Sequence, residues 1–462
     1  MDHTNPYSEL DSRIVGDLYT SMEAMDNLIV LCDRFGSRFG GTEGERQAAQ
    51  WMVEKMQGYG LRNVRLEPVP FKAWIRGDAR LEVVSPVERN IPCISLPHSP
   101  AGELTGRLVD MGDGAPEDFD LRAEEIHGNI VMTTSVVNPK GANRWIHRNE
   151  KYGRSLLAGA TGFIFVNHYP AYGPATGSIG RNQLAPIPGV AVCYEDGAAI
   201  RRLAKQHGQI QFRLTTTDSS QPKTSWNVLG DLPGREEPER SVLVGCHYDG
   251  HDISQGAGDP ASGVAALLEA ARVLASHAPP LRCTVRFALW GVEEIGLLGS
   301  QAYAAAHAVD LPTIRFYLNM DAAGARDMRR DLVLNEWPVL EPLFERWREE
   351  MAATFEVGQS VNAHSDHYPF FLAGVPTGGI QSAGRSLEGR GYGHTQYDTV
   401  DKVDLADMRE AAALAARLLL RMAAEEHWPA TQRTAGAVQE LLDSPAYREE
   451  KALQDRLAAH FG

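Results

Sequence analysis

The chain has 462 residues, of which 43% are hydrophobic and 23% charged. This length suits two or three packed domains, and the composition is too ordinary for a disordered chain or a coiled coil. Forty-five Lys and Arg against sixty Asp and Glu leave a net charge of −15, a field that repels nucleic acid and anionic membranes alike, so neither partner is expected. The five cysteines (Cys32, Cys93, Cys193, Cys246, Cys283) form no CxxC pair, which suits free thiols in a reducing compartment. The first residues, MDHTNPYSELDSR, carry acids where a secretory leader needs basic and then apolar residues. No apolar run reaches the length of a membrane span. The expectation is a cytoplasmic protein, or a secreted one if a leader has been removed.

In chain order, Met22 to Asp33 reads as a short amphipathic segment that GSRFGGTEG interrupts. Thr42 can cap a helix over about residues 43–59, with Ala49, Met52, Val53 and Met56 on one face. Two prolines inside VRLEPVPF suit only an edge strand. Residues 1–74 are taken as the first part of the main domain. From 75 to 222 come short β-like runs, ARLEVV, NIVMTTSV, TGFIFVN and IPGVAVC, then one helix, EDGAAIRRLAKQ. The polar TTTDSSQPKTS closes the stretch like a linker. Residues 75–222 therefore read as an inserted β-rich domain. Residues 223–430 alternate strands (SVLVGC, CTVRFALW, TIRFYLNM) with helices (PASGVAALLEAARVLASH, GLLGSQAYAAAH). That rhythm predicts an α/β domain whose mostly parallel central sheet has helices on both faces. Residues 431–462 form a charged helical tail with Val438, Leu441, Leu442 and Leu453 as apolar positions. It is expected to act as a packing arm or a homodimer arm.

In an open parallel sheet, ligands bind beyond the carboxyl ends of the strands. SVLVGC ends in His247 and Asp249, CTVRFALW runs into Glu293 and Glu294, and TIRFYLNM reaches Asp321. PTGGIQSA leads through a Gly-rich loop to His394, and Asp259 immediately precedes the helix PASGVAALLEAA. Imidazole and carboxylate without thiolate suit Zn²⁺ or a related divalent ion. Five ligands exceed one open tetrahedral zinc and match two ions that share a carboxylate, with a sixth acid left to act as a base. Taken singly, each residue has an ordinary explanation: Asp259 as a helix cap, Glu293 and Glu294 as solvated acids at a helix start. His251, His364 and His367 are expected to make structural hydrogen bonds, and Trp337 and Trp347 to lie in the core. No GxSxG, HExxH or GxxxxGK[ST] motif occurs.

The blocks VGCHYDGHDISQGAGDPASG, FALWGVEEIGLLGS, NMDAAG, SDHYPF and GHTQYDT resemble the signature blocks of the M28 zinc exopeptidase family. GNIVMTTS, AGATGFIFVN and IPGVAVCYEDG are similar to a protease-associated domain, and FGSRFGGTEG to LRNVRLEPVPF resembles the carboxypeptidase Q branch. The resemblance implies two Zn²⁺, or other divalent ions, with His247 and Asp321 on one, Glu294 and His394 on the other, and Asp259 bridging. Glu293 would be the general base, Asp249 would orient His247, and Asp398 would be a further supporting acid. The peptide after the bridging aspartate is typically cis in that family, so a cis Asp259–Pro260 bond is expected. Relatives often carry Tyr or His where Gly393 stands, which leaves Tyr392 as the substitute for oxyanion contact. Arg385 and Arg390 could grip a substrate carboxylate. The implied activity is cleavage of the amide bond of a small peptide or amino-acid amide, of aminopeptidase or dipeptidase type. The alternatives are an amidohydrolase acting on a modified or N-acylated amino acid, a single-zinc acyltransferase resembling glutaminyl cyclase, and a non-catalytic binding protein.

Overall fold

The computed structural model describes residues 5–180, 182–325, 329–382 and 391–461. Its larger sheet has eight strands in the order Arg62–Ile75, Ser219–Leu232, Cys283–Trp290, Glu237–His247, Ile314–Asn319, Thr377–Ser382, Arg330–Leu334 and Val357–Gln359. The four strands from Cys283–Trp290 to Thr377–Ser382 are parallel neighbours, and antiparallel strands flank them. The central strands read as continuous apolar runs because both faces are covered. Val242, Val244 and Cys246 pack with the helices Glu43–Gly58, Ser262–His277 and Leu405–Ala424, whereas Leu243 joins Tyr303 and Phe370 on the opposite face. Each fully buried Leu, Val or Phe contributes about 1.5–3 kcal/mol, so this double layer makes a stiff floor for whatever the strand ends carry. The α/β reading of the main domain holds. Thr42 caps the helix Glu43–Gly58 by accepting from the Glu45 N–H, and Trp337 and Trp347 are buried in the core.

The polar segment read as a linker, residues 215–225, ends one strand, Gln211–Thr216, and begins the next, Ser219–Leu232. Ser219–Leu232 pairs antiparallel with Arg62–Ile75 along its length, from Ile75 opposite Ser219 to Arg62 opposite Asp231. Only Val228–Leu232 also pairs with Cys283–Trp290. Residues 219–227 therefore form a two-stranded ribbon with the edge strand, where a proline such as Pro222 leaves no ladder bond unmade on its open side. Composition misleads here because cross-strand pairing, rather than side-chain hydrophobicity, holds a ribbon together.

The ribbon carries a second eight-stranded sheet within residues 79–216, in the order Arg89–Ile91, Ala79–Ser85, Gln211–Thr216, Gly102–Asp110, Ile130–Thr134, Gly162–Val166, Gly189–Val192 and Ile94–Ser95. Its four strands from Gly102–Asp110 to Gly189–Val192 are parallel, and the helices Arg148–Leu157 and Tyr194–His207 accompany them. The C-terminal tail forms two helices, Ala435–Leu442 and Arg448–Ala458. Val438 and Leu442 pack on Phe371 of the larger lobe. The second helix lies on the smaller lobe, where Glu449 meets Arg144 and Arg154. All five cysteines are free thiols. Among the described residues, no helix is long and apolar enough to cross a membrane.

Candidate metal centre

The ends of the parallel strands deliver the expected residues to one place. His247 is the last residue of its strand, and Glu293 and Glu294 follow Cys283–Trp290 by a short turn. Asp321 follows Ile314–Asn319, and Asp259 lies in the tight turn Ala257–Ala261 that opens into the helix Ser262–His277. The Asp259–Pro260 peptide is cis, as the resemblance implies. His394 sits in a left-handed backbone conformation, φ +61°, uncommon for a residue with a side chain. Its position is fixed from outside: the Thr176 N–H of the smaller lobe donates to the His394 carbonyl at 2.8 Å.

Two donor groups result. In one, His247 Nε2 lies 3.1 Å from Asp321 Oδ1 and 3.4 Å from Asp259 Oδ1. In the other, Glu294 Oε2 lies 3.3 Å from His394 Nε2 and 2.9 Å from His251 Nε2. Asp259 faces both groups, for its second oxygen, Oδ2, is 3.4 Å from His394 Nε2. Glu293 stands apart, with Oε2 4.0 Å from His247 Nε2. His247, Glu294 and His394 are buried, and Asp259 and Asp321 are partly exposed. Imidazole nitrogens and carboxylate oxygens gathered at these distances are the donor chemistry of a divalent cation, zinc above all.

The electrostatics fit a cation site as well. Burial drives the Glu293 carboxyl well above the usual range, against the pull of His247. Burial likewise pushes Asp366 up to about 7, against the pull of His247. For Glu294, burial is outweighed by the imidazoles of His251 and His394, which hold the carboxyl below its ordinary value. Burial works to lower the His247 imidazole, but Glu293 and Asp321 overcome it and raise the ring well above the usual value. So many buried carboxylates leave a negative site that positive charge stabilises.

The model of peptidase family M28 matches residues 227–419, a span that contains every one of these side chains. Over those residues the chain is similar to peptidase family M28. Carboxypeptidase Q of Mus musculus is 25% identical over 411 residues, covering 84% of this chain and 83% of that one. Among solved structures, a peptidase M28 precursor from Shewanella amazonensis superposes with a TM-score of 0.80 at 22% identity, over 92% of this chain and 98% of its own. BSAP, a zinc aminopeptidase from Bacillus subtilis, gives a TM-score of 0.67 at 24% identity over 87% and 95% of the two chains. These two likenesses establish the fold.

Within the M28 region, Asp249 acts through two routes. Its carbonyl accepts from His247 Nδ1 at 2.9 Å, and its carboxylate accepts the Glu293 and Glu294 N–H groups at 2.9 and 3.2 Å. Asp398 accepts the Gly258 and Asp259 N–H groups at 2.6 and 3.1 Å, while burial, opposed by the Gly258 N–H, raises its carboxyl to about 6. Tyr392 stacks on Tyr172 at 4.7 Å between centroids, on the same turn as His394. Arg385 and Arg390 lie outside the described residues. His364 meets Glu450 at 3.1 Å and stacks on His147, and burial lowers the His367 imidazole to about 4.

Several supports escaped the sequence reading. Arg38, fully buried, donates to the carbonyls of Leu31, Gly36, Tyr248, Gln255 and Gly256, and so fastens the loop after His247. Ser365 Oγ donates to Asp321 Oδ2 at 2.9 Å and accepts from Asn319 Nδ2 at 2.8 Å. Tyr317 OH in turn donates to Asn319 Oδ1 at 3.0 Å and accepts from Trp290 Nε1 at 2.9 Å. This chain of bonds through the sheet sets the Asp321 carboxylate. An arginine flanked by glycines in GSRFGG was the one visible signal; the Trp290–Tyr317–Asn319–Ser365 relay left none.

Proposed function

We propose that this metallo-exopeptidase uses two divalent ions, zinc foremost, and cleaves the terminal amide bond of small peptides as an aminopeptidase or dipeptidase. Asp259 carries the reading: one carboxylate faces the His247 and His394 donor groups with its two oxygens at 3.4 Å from each imidazole. His247 and Asp321 would hold one ion, Glu294 and His394 the other, and Asp259 both. When bound, such a pair polarises a carbonyl and acidifies a water. Glu293 is then the acid left over for proton transfer: it would take the proton of the attacking water and return it to the leaving amine. Its burial, which favours the protonated form, suits the second half of that task. Asp249 fixes the imidazole of His247 and the backbone of Glu293 together, so ligand and base share one anchor.

Residues 75–222 are read as a protease-associated-like insertion in a peptidase domain built from 1–74 and 223–430, with 431–462 as its tail. Thr176 and Tyr172 close this insertion over the His394 turn, which suits a roof that admits only short substrates. Tyr392 is the candidate for oxyanion contact, and Arg385 and Arg390 for a substrate carboxylate. The names of the similar proteins, a zinc aminopeptidase and a carboxypeptidase, support zinc and exopeptidase chemistry. The test is zinc content of the pure protein together with hydrolysis of amino-acid amides, dipeptides and N-acyl amino acids. Two ions per chain and turnover of free-amine substrates are expected. One ion per chain would point to cyclase-like chemistry, and N-acyl preference to an amidohydrolase.

A further inference from the structure

His251 was expected to be structural, yet the fold places it among the donors. Its Nε2 is 2.9 Å from Glu294 Oε2, the same oxygen that lies 3.3 Å from His394 Nε2. The rings of His251 and His394 meet edge to face with centroids 4.4 Å apart. Donor atoms of His251, Glu294 and His394 all lie within 4.8 Å of one another. The residue is 2% exposed, and neither ring nitrogen makes a hydrogen bond of normal geometry with the described residues. A buried imidazole left in that state costs free energy unless something beyond the polypeptide satisfies it.

The loop that presents it is rigid. Gly250 N–H donates to the Ser37 carbonyl at 2.8 Å, and Ser254 N–H to the His251 carbonyl at 3.2 Å. Arg76 clamps Asp252 with two bonds of 2.7 Å. Phe39 lies against the ring itself at 6.4 Å between centroids. A side chain held this way is pre-organised before any ion arrives, as a ligand should be.

We infer that His251 is an additional protein ligand of the ion between Glu294 and His394, an inference that rests on the two-ion reading above. That ion then has four protein donors (His251, Glu294, His394, Asp259), and its partner has three (His247, Asp259, Asp321). The two halves differ in affinity, the four-donor half being the tighter. Open coordination for water and substrate falls mainly to the His247 half.

The test is zinc titration of metal-stripped protein by competition with a chromophoric chelator, for the wild type and His251→Phe. Two unequal affinities are expected in the wild type. His251→Phe should weaken the tighter one by more than about 100-fold, beyond what loss of an outer hydrogen-bonding partner costs, and leave the other near its original value. A fall of about 100-fold or less, or an equal fall at both, overturns the ligand role. Wild-type protein that binds a single ion overturns the two-ion reading instead. Should His251→Phe fail to fold, NMR of histidine-¹⁵N-labelled, zinc-loaded wild type decides. Metal-bound shifts at three imidazoles are expected, and at only two would defeat the inference.

Discussion

Glu293 and Asp259 both lie beside His247, yet their substitutions should separate catalysis from metal retention. Glu293→Gln should keep both ions, measured by metal analysis, and lower turnover by roughly 10²–10⁴-fold, the usual contribution of a positioned proton shuttle. Asp259→Ala should lose metal as well as activity, because its oxygens face both donor groups. A different carboxyl contributes to the pH response of stability. Burial, opposed by Ser225, raises Glu45 from its ordinary 4.5 to about 8. Between those values the folded chain holds a proton that the unfolded chain has released, so this group's contribution falls as pH rises from about 4.5 to about 8. Glu45→Gln keeps an amide for Gly41 and Ser225 and should flatten that slope in urea melts taken across the window. The same slope in both proteins would mean that Glu45 is ionised in the fold. Much at this scale was legible: His247, Asp259, Glu294, Asp321 and His394 stand out because each follows a strand or opens a helix. His251 was not, because its role depends on how the loop after Asp249 folds back onto Glu294, and no spacing rule encodes that.

At the level of elements, parallel strands and their helices follow from apolar runs of the right length, and the sequence reading placed them correctly. It misjudged the segment 215–225, whose residues 219–225 lie in the ribbon, because a ribbon with one open edge tolerates Ser, Gln, Pro, Lys and Thr. Loops were harder still. In the segment from Tyr248 to Gly256, three carbonyls, of Tyr248, Gln255 and Gly256, accept from the Arg38 guanidinium. Arg38→Met should therefore cost about 3 kcal/mol or more in denaturant unfolding, since each buried carbonyl that loses its partner costs about 1–3 kcal/mol. It should weaken metal binding too, because His247 directly precedes the loosened loop and His251 lies within it. A variant as stable as the parent would show that water replaces the guanidinium.

For the whole molecule, the tail ties the two lobes together. Leu457 rests on Gly153, where an added Cβ would lie 2.3 Å from Leu457 Cδ1. Gly153→Ala should force the buried Leu457 side chain to shift and lower the melting temperature. Leu457→Ala alone leaves a cavity worth about 2–5 kcal/mol. The double variant should be more stable than the two separate losses predict, because the smaller side chain makes room for the new methyl. Strict additivity would mean that the tail does not rest there in solution. Composition could announce a helical tail and its apolar positions, but not the surface it would choose, which depends on a glycine some three hundred residues away.

The hydrogen bond from Thr176 to the His394 carbonyl gives the roof a second role. A lid that only covers a site can swing freely, and the chemistry beneath waits unchanged. Here the smaller lobe grips the backbone of His394, so on the proposed two-ion reading opening the cleft would also loosen the ion that His394 holds. Residence time of an ion on that side should then track the breathing of the smaller lobe, collective motion on the microsecond-to-millisecond scale. Asp252→Asn, which unties Arg76 from the loop beneath, should let a chelator strip the protein faster even where the equilibrium affinity barely moves. In such a design the doorway keeps time for the metal as well as for the substrate.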